Sequence, residues 1–138
     1  MGLFNFKKKE SEKLPYEAQL YLQAISALQN NECQKSLDLF NELIQNNVNQ
    51  SDLTEHKANL YYNRSIAKTQ LDDIDGAITD LKTSIKIHEL EQAYFELFRL
   101  YEFKDEPQNG LTYLIRAYEL GNVNAAEILR ENTNYFNQ

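Results

Sequence analysis

Apolar residues recur every three or four positions in six successive stretches of this chain, the spacing that lines one face of an α-helix. In the first stretch Leu20, Ala24, Ala27 and Leu28 form the stripe. They predict a helix from near Pro15 to Asn30, proline being tolerated in a first turn. Asn31 with Gln34 has capping-box spacing for a second helix carrying Leu37, Phe40, Leu43 and Ile44, which ends in the polar run Gln45 to Gln50. Ser51, Asp52 and Thr54 signal a third start, ahead of Leu60, Tyr61, Ala67 and Leu71. Asp72, Asp73, Asp75 and Gly76 make a turn before Ala77, Ile78, Leu81, Ile85 and Ile87. No strong breaker stands between His88 and Gln92, so periodicity alone permits a continuous helix into Ala93, Tyr94, Leu97 and Tyr101.

The sixth stretch has Asp105 as predicted N-cap, Pro107 in the first turn and Gln108 three residues after the cap. Its buried side is expected to be Leu111, Leu114, Ile115, Ala117 and Tyr118. Gly121 reads as a left-handed C-cap, and Asn122 as the cap of a last short helix with Ala125, Ala126, Ile128 and Leu129. A small residue recurs just inside the second, fourth and sixth helices, at Ser36, Ala77 and Gly110, in steps of 41 and 33 residues. Those steps lie close to the ~34-residue period of helix-turn-helix repeats. The repeat places a break near His88 and predicts three helical hairpins with the last helix as a lid over an otherwise wet apolar end.

Composition agrees with this reading. The chain has 138 residues, 42% hydrophobic, with only 4 Gly and 2 Pro to punctuate a many-stranded β fold. One domain is expected over residues 15–131, between a flexible N-terminal arm (1–14) and a C-terminal tail (132–138). No run approaches the ~18 apolar residues of a membrane span, and Met1 to Phe6 is too short for a signal-peptide core. A cytoplasmic location is the expectation. The net charge is −7, and because residues 1–17 carry four lysines against three glutamates, residues 18–138 carry −8. An acidic body without a Lys/Arg stripe repels phosphate backbones, which argues against nucleic acid and favours a neutral or basic protein partner.

The stretch YYNRSIAKTQLDDIDGAITDLKTSIKI, Tyr61 to Ile87, resembles a tetratricopeptide repeat, with Tyr61 at the large first-helix position, Ser65 at the small one and Ala77 at the small position of the second helix. A looser copy runs through Leu20, Ala24, Ser36, Phe40 and Leu43. The third, AYFELFRLYEF with NGLTYLIRAYELGNVNAAEILRE, is similar to the related Sel-one-like variety, although Phe98 stands where the family has a small residue. The proline common at a unit's end is missing after Ile87, and the first step is seven residues too long. The resemblance implies an all-α fold: a short right-handed α-solenoid of three hairpins plus a C-terminal capping helix.

In that family ligands lie on the concave surface made by the first helices. Carried over by position, the implied surface is Tyr21, Ile25 and Leu28, then Tyr62, Asn63, Ile66, Thr69 and Gln70, then Phe95, Glu96, Arg99 and Glu102. The aromatics Tyr21, Tyr62 and Phe95 occupy equivalent places, as anchors for a peptide or partner helix or as packing between helices. Chaperone-binding members clamp peptide carboxylates with cations. Here only Asn63 matches, among Tyr21, Ile25, Gln92 and Glu96, so acidic tails are not the expected ligand.

Catalysis, cofactor and metal have no support in the residues. His56 and His88 are the only histidines, one cysteine (Cys33) gives neither disulfide nor zinc pattern, and Asp73, Asp75 and Gly76 lack the rest of a calcium loop. Leu3, Phe4 and Phe6 beside Lys7 to Lys9 are too few for stable membrane anchoring. Tyr135 and Phe136 in the tail are expected either to fold back onto the last helix or to stay exposed as a contact patch, and a homo-oligomer is compatible with all of this. The leading expectation is a non-enzymatic adaptor or scaffold gripping one protein. The alternative is an immunity or antitoxin-like inhibitor of a basic toxin, suggested by small size and acidity.

Overall fold

The computed structural model describes residues 14–47 and 54–132; residues 1–13 of the N-terminal arm, Ser51, Asp52, and the tail residues Tyr135 and Phe136 lie outside them. The described residues form seven α-helices: α1 (Tyr16–Gln29), α2 (Cys33–Asn46), α3 (Thr54–Gln70), α4 (Ile74–Ile87), α5 (Glu91–Phe103), α6 (Pro107–Glu119) and α7 (Val123–Glu131). Each packs against its neighbours in the chain, and α1 also touches α3. None is long and apolar enough to cross a membrane.

The interior follows the same order. Leu20 and Ala24 of α1 meet Phe40 and Leu43 of α2 and Leu60 of α3. Ala58 of α3 then meets Ala77 and Leu81 of α4 and Leu97 of α5, and Phe98 of α5 meets Leu114 and Ala117 of α6 and Ala125 and Leu129 of α7. Every cluster thus draws its buried residues mainly from three successive helices. Phe40, Leu43, Leu60, Leu81, Leu97 and Leu114 are fully buried, each worth about 1.5–3 kcal/mol relative to exposure.

Four turns share one geometry. Asn31, Asp72, Asp105 and Gly121 all have positive φ, at 60°, 64°, 59° and 92°. In each turn the next residue's N–H reaches five residues back: Glu32 to the Ala27 carbonyl, Asp73 to Lys68, Glu106 to Tyr101 and Asn122 to Ala117. This is the Schellman bond that satisfies a helix's last free carbonyls. Asn31 and Asp105 are therefore left-handed turn residues and not the expected N-caps. The cap positions belong to Glu32 and Glu106, neither of which makes a side-chain capping bond. Asp73 does cap α4 by accepting from the Gly76 N–H, and Asn122 caps α7 by accepting from Ala125.

Five residues after the left-handed position in the first three turns come Ser36, Ala77 and Gly110, all buried. Ser36 Oγ donates to the Ala24 carbonyl at 3.1 Å. At the third site the first helix carries Phe98, and a Cβ on residue 110 would lie 3.2 Å from the Phe98 carbonyl oxygen and 3.3 Å from its ring. Tyr101 Cβ is as near, at 3.2 Å, so the missing side chain lets α6 lie close to the α5 backbone as well as to the Phe98 ring.

The uneven steps of 41 and 33 have a simple origin. α3 has 17 residues against 13 in α5, and seven residues join α2 to α3 against three between α4 and α5. The break after α4 falls at His88 to Leu90, where the backbone is extended at His88 and Leu90 is buried against the central cluster.

Ile115 and Tyr118, expected inside, are 38% and 51% exposed. The inner line of α6 is Gly110, Leu114 and Ala117, which meets α5 and the nine-residue α7. Residues 115 and 118 each sit about 100° around the helix from one of these positions, on flanks left uncovered. The N-terminal limit of α1 is Tyr16, with Pro15 as its cap residue.

Candidate functional site

Helices α3 and α5 flank a groove of about 540 Å³ whose floor includes Ile74 and Leu81 of α4. Ile66, Thr69 and Gln70 come from α3, and Glu96, Arg99, Leu100 and Phe103 from α5. On α5 these four fall at steps of three, one and three, the spacing that puts side chains on one helical face. On α3 the polar Thr69 Oγ1 donates to the Ser65 carbonyl at 2.8 Å, which holds it against its own helix. Asp72, fixed by the turn, adds a carboxylate to the groove.

The sequence-derived surface divides here. Ile66, Thr69, Gln70, Glu96 and Arg99 are brought together in the groove. Tyr21, Ile25 and Leu28 are half-buried against the first core cluster, and the Tyr21 ring lies 5.9 Å from that of His56. Tyr62 packs on the central cluster, and Phe95 on the last one, 6.2 Å from the Phe98 ring. Asn63 is half-buried and Glu102 exposed; neither lines the groove.

Phe103 was not among the expected contacts, yet it is 70% exposed at the groove's end. Its signal was available: it continues the face of Glu96, Arg99 and Leu100 by one more turn. Ile74, Leu100 and Asp72 were also missed, because which side of a turn or helix faces the groove depends on how α4 sits behind it.

The groove's electrostatics are acidic with one cation. Arg99 Nη1 pairs with Glu96 Oε1 at 2.9 Å on the surface. Burial pushes the Tyr62 phenol above its usual range, Glu96 and Glu91 push it further, and Arg99 opposes them. Glu96 therefore projects negative potential across to α3. Gln70 also accepts from Cys33 Sγ at 3.3 Å, which ties the edge of the groove to the start of α2.

Behind α3, away from that face, sits the most buried charge of the described residues. Asp80 is 2% exposed and accepts from Arg64 Nε and Nη2 at 2.8 and 2.7 Å and from Lys68 Nζ at 3.0 Å. Arg64 also donates to Asn41 Oδ1 at 3.1 Å and lies over the Tyr61 ring. The Asp80 bonds raise the Arg64 pKa above its ordinary value, against the opposing effect of burial. This network pins α3 to α4 and α2 and so sets the back wall behind the groove.

Among the described residues no three His, Cys, Asp or Glu side chains converge as a metal site. Neither a scan against protein-family models nor a search of curated proteins gives a match to this chain.

Proposed function

We propose that this protein is a cytoplasmic, non-enzymatic adaptor: a short right-handed α-solenoid of tetratricopeptide type with a Sel-one-like third unit, holding one protein partner in the groove between α3 and α5. Its three hairpins are α1–α2, α3–α4 and α5–α6, with α7 as the lid. The recurrence of one turn geometry followed five residues later by a buried small residue supports this arrangement. The observation that carries the binding role is the groove itself: Ile66, Leu100 and a largely exposed Phe103 beside Asp72, Glu96 and Gln70. An exposed aromatic at the edge of an apolar cleft is the kind of residue that anchors a partner, since it buries much area for little rotamer entropy.

Two carboxylates in the groove and an acidic body favour a partner segment that joins apolar side chains to Lys or Arg. The same charge supports the second reading, in which the partner is a basic toxin that this protein neutralises.

The test is a capture experiment with the full chain and two groove variants, Ile66→Glu and Phe103→Ser, at low and high salt. Both variants must keep wild-type helicity. A partner bound by the wild type and lost by both variants supports the proposal, and equal capture by all three refutes it. A basic, salt-sensitive partner selects the inhibitor reading; a salt-resistant partner from a larger assembly selects the adaptor.

A further inference from the structure

The groove between α3 and α5 calls for a segment that joins apolar side chains to cations, and the chain itself carries one. Leu3, Phe4 and Phe6 stand directly before Lys7, Lys8 and Lys9. The other two stretches that lie outside the helices and are longer than a turn, residues 48–53 and 133–138, hold neither Lys nor Arg. The receiving surface is of the opposite sign. Asp72 and Glu96 line the groove, its one cation Arg99 is already paired with Glu96, and residues 18–138 carry −8.

The helix directions bring the two together in matching order. Tyr16, at the start of α1, donates to Glu42 near the end of α2, and Cys33, at the start of α2, donates to Gln70 at the end of α3. Ser84, late in α4, donates to the Ala58 carbonyl early in α3, and Lys104, just past α5, pairs with Asp75 at the start of α4. Helices α1, α3 and α5 therefore run the same way, and the root of the arm at Leu14 stands at the end where α3 and α5 begin. From that end α5 presents Glu96 first, then Leu100 and the exposed Phe103. Outward from Leu14 the arm presents Lys9 to Lys7 first, then Phe6, Phe4 and Leu3. The reach agrees: Glu96 is part of a turn and a half into α5 and about two helix spacings across from α1, a straight line of about 20 Å, and the extended chain from Leu14 to Lys8 spans about 20 Å. Phe103 lies ~10 Å further along α5, within the ~13 Å that the chain from Lys8 to Phe4 adds.

We infer that residues 3–9 occupy the groove between α3 and α5 of their own molecule, the lysines at Glu96 and the Phe4 and Phe6 rings against Leu100 and Phe103, so that an outside partner has to displace them. The inference rests on the groove as the binding surface of the proposed function and adds its regulation. A tethered segment meets its site at an effective concentration of about a millimolar, so a contact too weak to hold a free peptide fills the groove. The outside partner's apparent affinity then falls by the fraction of molecules whose groove is open. The same molecule is favoured over a second copy as the source of the arm, because two bodies of charge −8 repel one another.

A nitroxide on Asn5→Cys in the ¹⁵N-labelled full chain tests this, with Cys33→Ser leaving a single point of attachment and the reduced label as reference. The amides of Leu100 and Phe103 on α5 and of Gln70 on α3 are expected to lose intensity through paramagnetic broadening. Replacing Lys7, Lys8 and Lys9 together by Gln, or combining Phe4→Ser with Phe6→Ser, is expected to restore them; both variants lie outside the helical body and leave its helicity unchanged. The inference is overturned if those amides keep full intensity, if the broadening survives both variants, or if it is equally strong in ¹⁵N chains without nitroxide mixed with nitroxide chains of natural isotope content, which assigns the arm to a second copy. Capture separates this from the adaptor reading. The chain with Phe4→Ser and Phe6→Ser is expected to capture more partner than the wild type. Equal capture without broadening overturns the inference and leaves the adaptor standing, whereas broadening with no partner captured by either chain supports the inference and removes the adaptor.

Discussion

Asp80→Ala removes the one carboxylate that two cations share in the interior of the α3–α4 contact. The Asp80 side chain is 3% exposed, and those of Arg64 and Lys68 are 17% and 19% exposed. Breaking a buried pair by deleting one partner costs about 3–5 kcal/mol, chiefly because the remaining charge is left desolvated. Both cations here keep a path to water, and Arg64 retains Asn41 Oδ1 and the Tyr61 ring. The expected loss is therefore at the low end, about 3 kcal/mol of a total of about 5–15 kcal/mol. For a chain of this length that corresponds to a fall in Tm of about 10 °C. Urea unfolding followed by far-UV circular dichroism measures it directly, with the m-value expected to stay constant. In a double-mutant cycle with Arg64→Met, the second substitution should cost little once Asp80 is gone. A loss under about 0.5 kcal/mol, the size of an ordinary surface change, would show that the network is a solvated surface feature and refute the reasoning.

Other consequences follow from the turns, the third hairpin and the groove's charge. Asp105→Gly relieves a left-handed non-glycine residue and is expected to stabilise by about 0.5–1 kcal/mol, whereas Gly121→Ala imposes one and should destabilise by about 1–2 kcal/mol; thermal melts of both variants decide the sign. Phe98→Ala should cost about 3–5 kcal/mol through its cavity, and Gly110→Ala should stay destabilising in that background, because the Phe98 carbonyl and the Tyr101 Cβ still meet the new methyl; denaturant titration reads both. The Tyr62 phenol holds its proton to higher pH in the folded state, so its contribution is complete below the ordinary tyrosine range and is lost as pH rises through the folded pKa. In ¹³C-tyrosine titrations Glu96→Gln should lower that pKa without abolishing the shift, because burial is the larger cause; an unchanged pKa would remove Glu96 from the face of Tyr62.

Helix number and order were legible from apolar spacing because each helix buries one stripe against its chain neighbours. Gly121 and Asn122 were legible too, since glycine and an N-capping side chain act locally. Asn31 and Asp105 were misread for the same reason in reverse: Asn and Asp serve both as caps and as left-handed residues, and the choice between them depends on the Schellman bond to a carbonyl five residues back. Burial of Ile115 and Tyr118 was overestimated because nothing in the local pattern tells how short a covering helix will be. Part of the candidate surface was legible, because Ile66, Gln70, Glu96 and Arg99 do meet across the groove. Phe103 was legible but overlooked, since it continues the face of Glu96, Arg99 and Leu100, whereas Asp72 was not, because its place there depends on how the turn sits over α4.

The measurement that bears most directly on the account is the affinity of the captured partner for the wild type and for Phe103→Ser, by isothermal titration calorimetry, with Tyr16→Ser as a control on a residue that is 62% exposed elsewhere. An anchor residue is worth at least about 2 kcal/mol, or about a thirtyfold weaker Kd. The account predicts that loss for Phe103→Ser and an unchanged Kd for Tyr16→Ser. Equal affinity of Phe103→Ser and the wild type would contradict it.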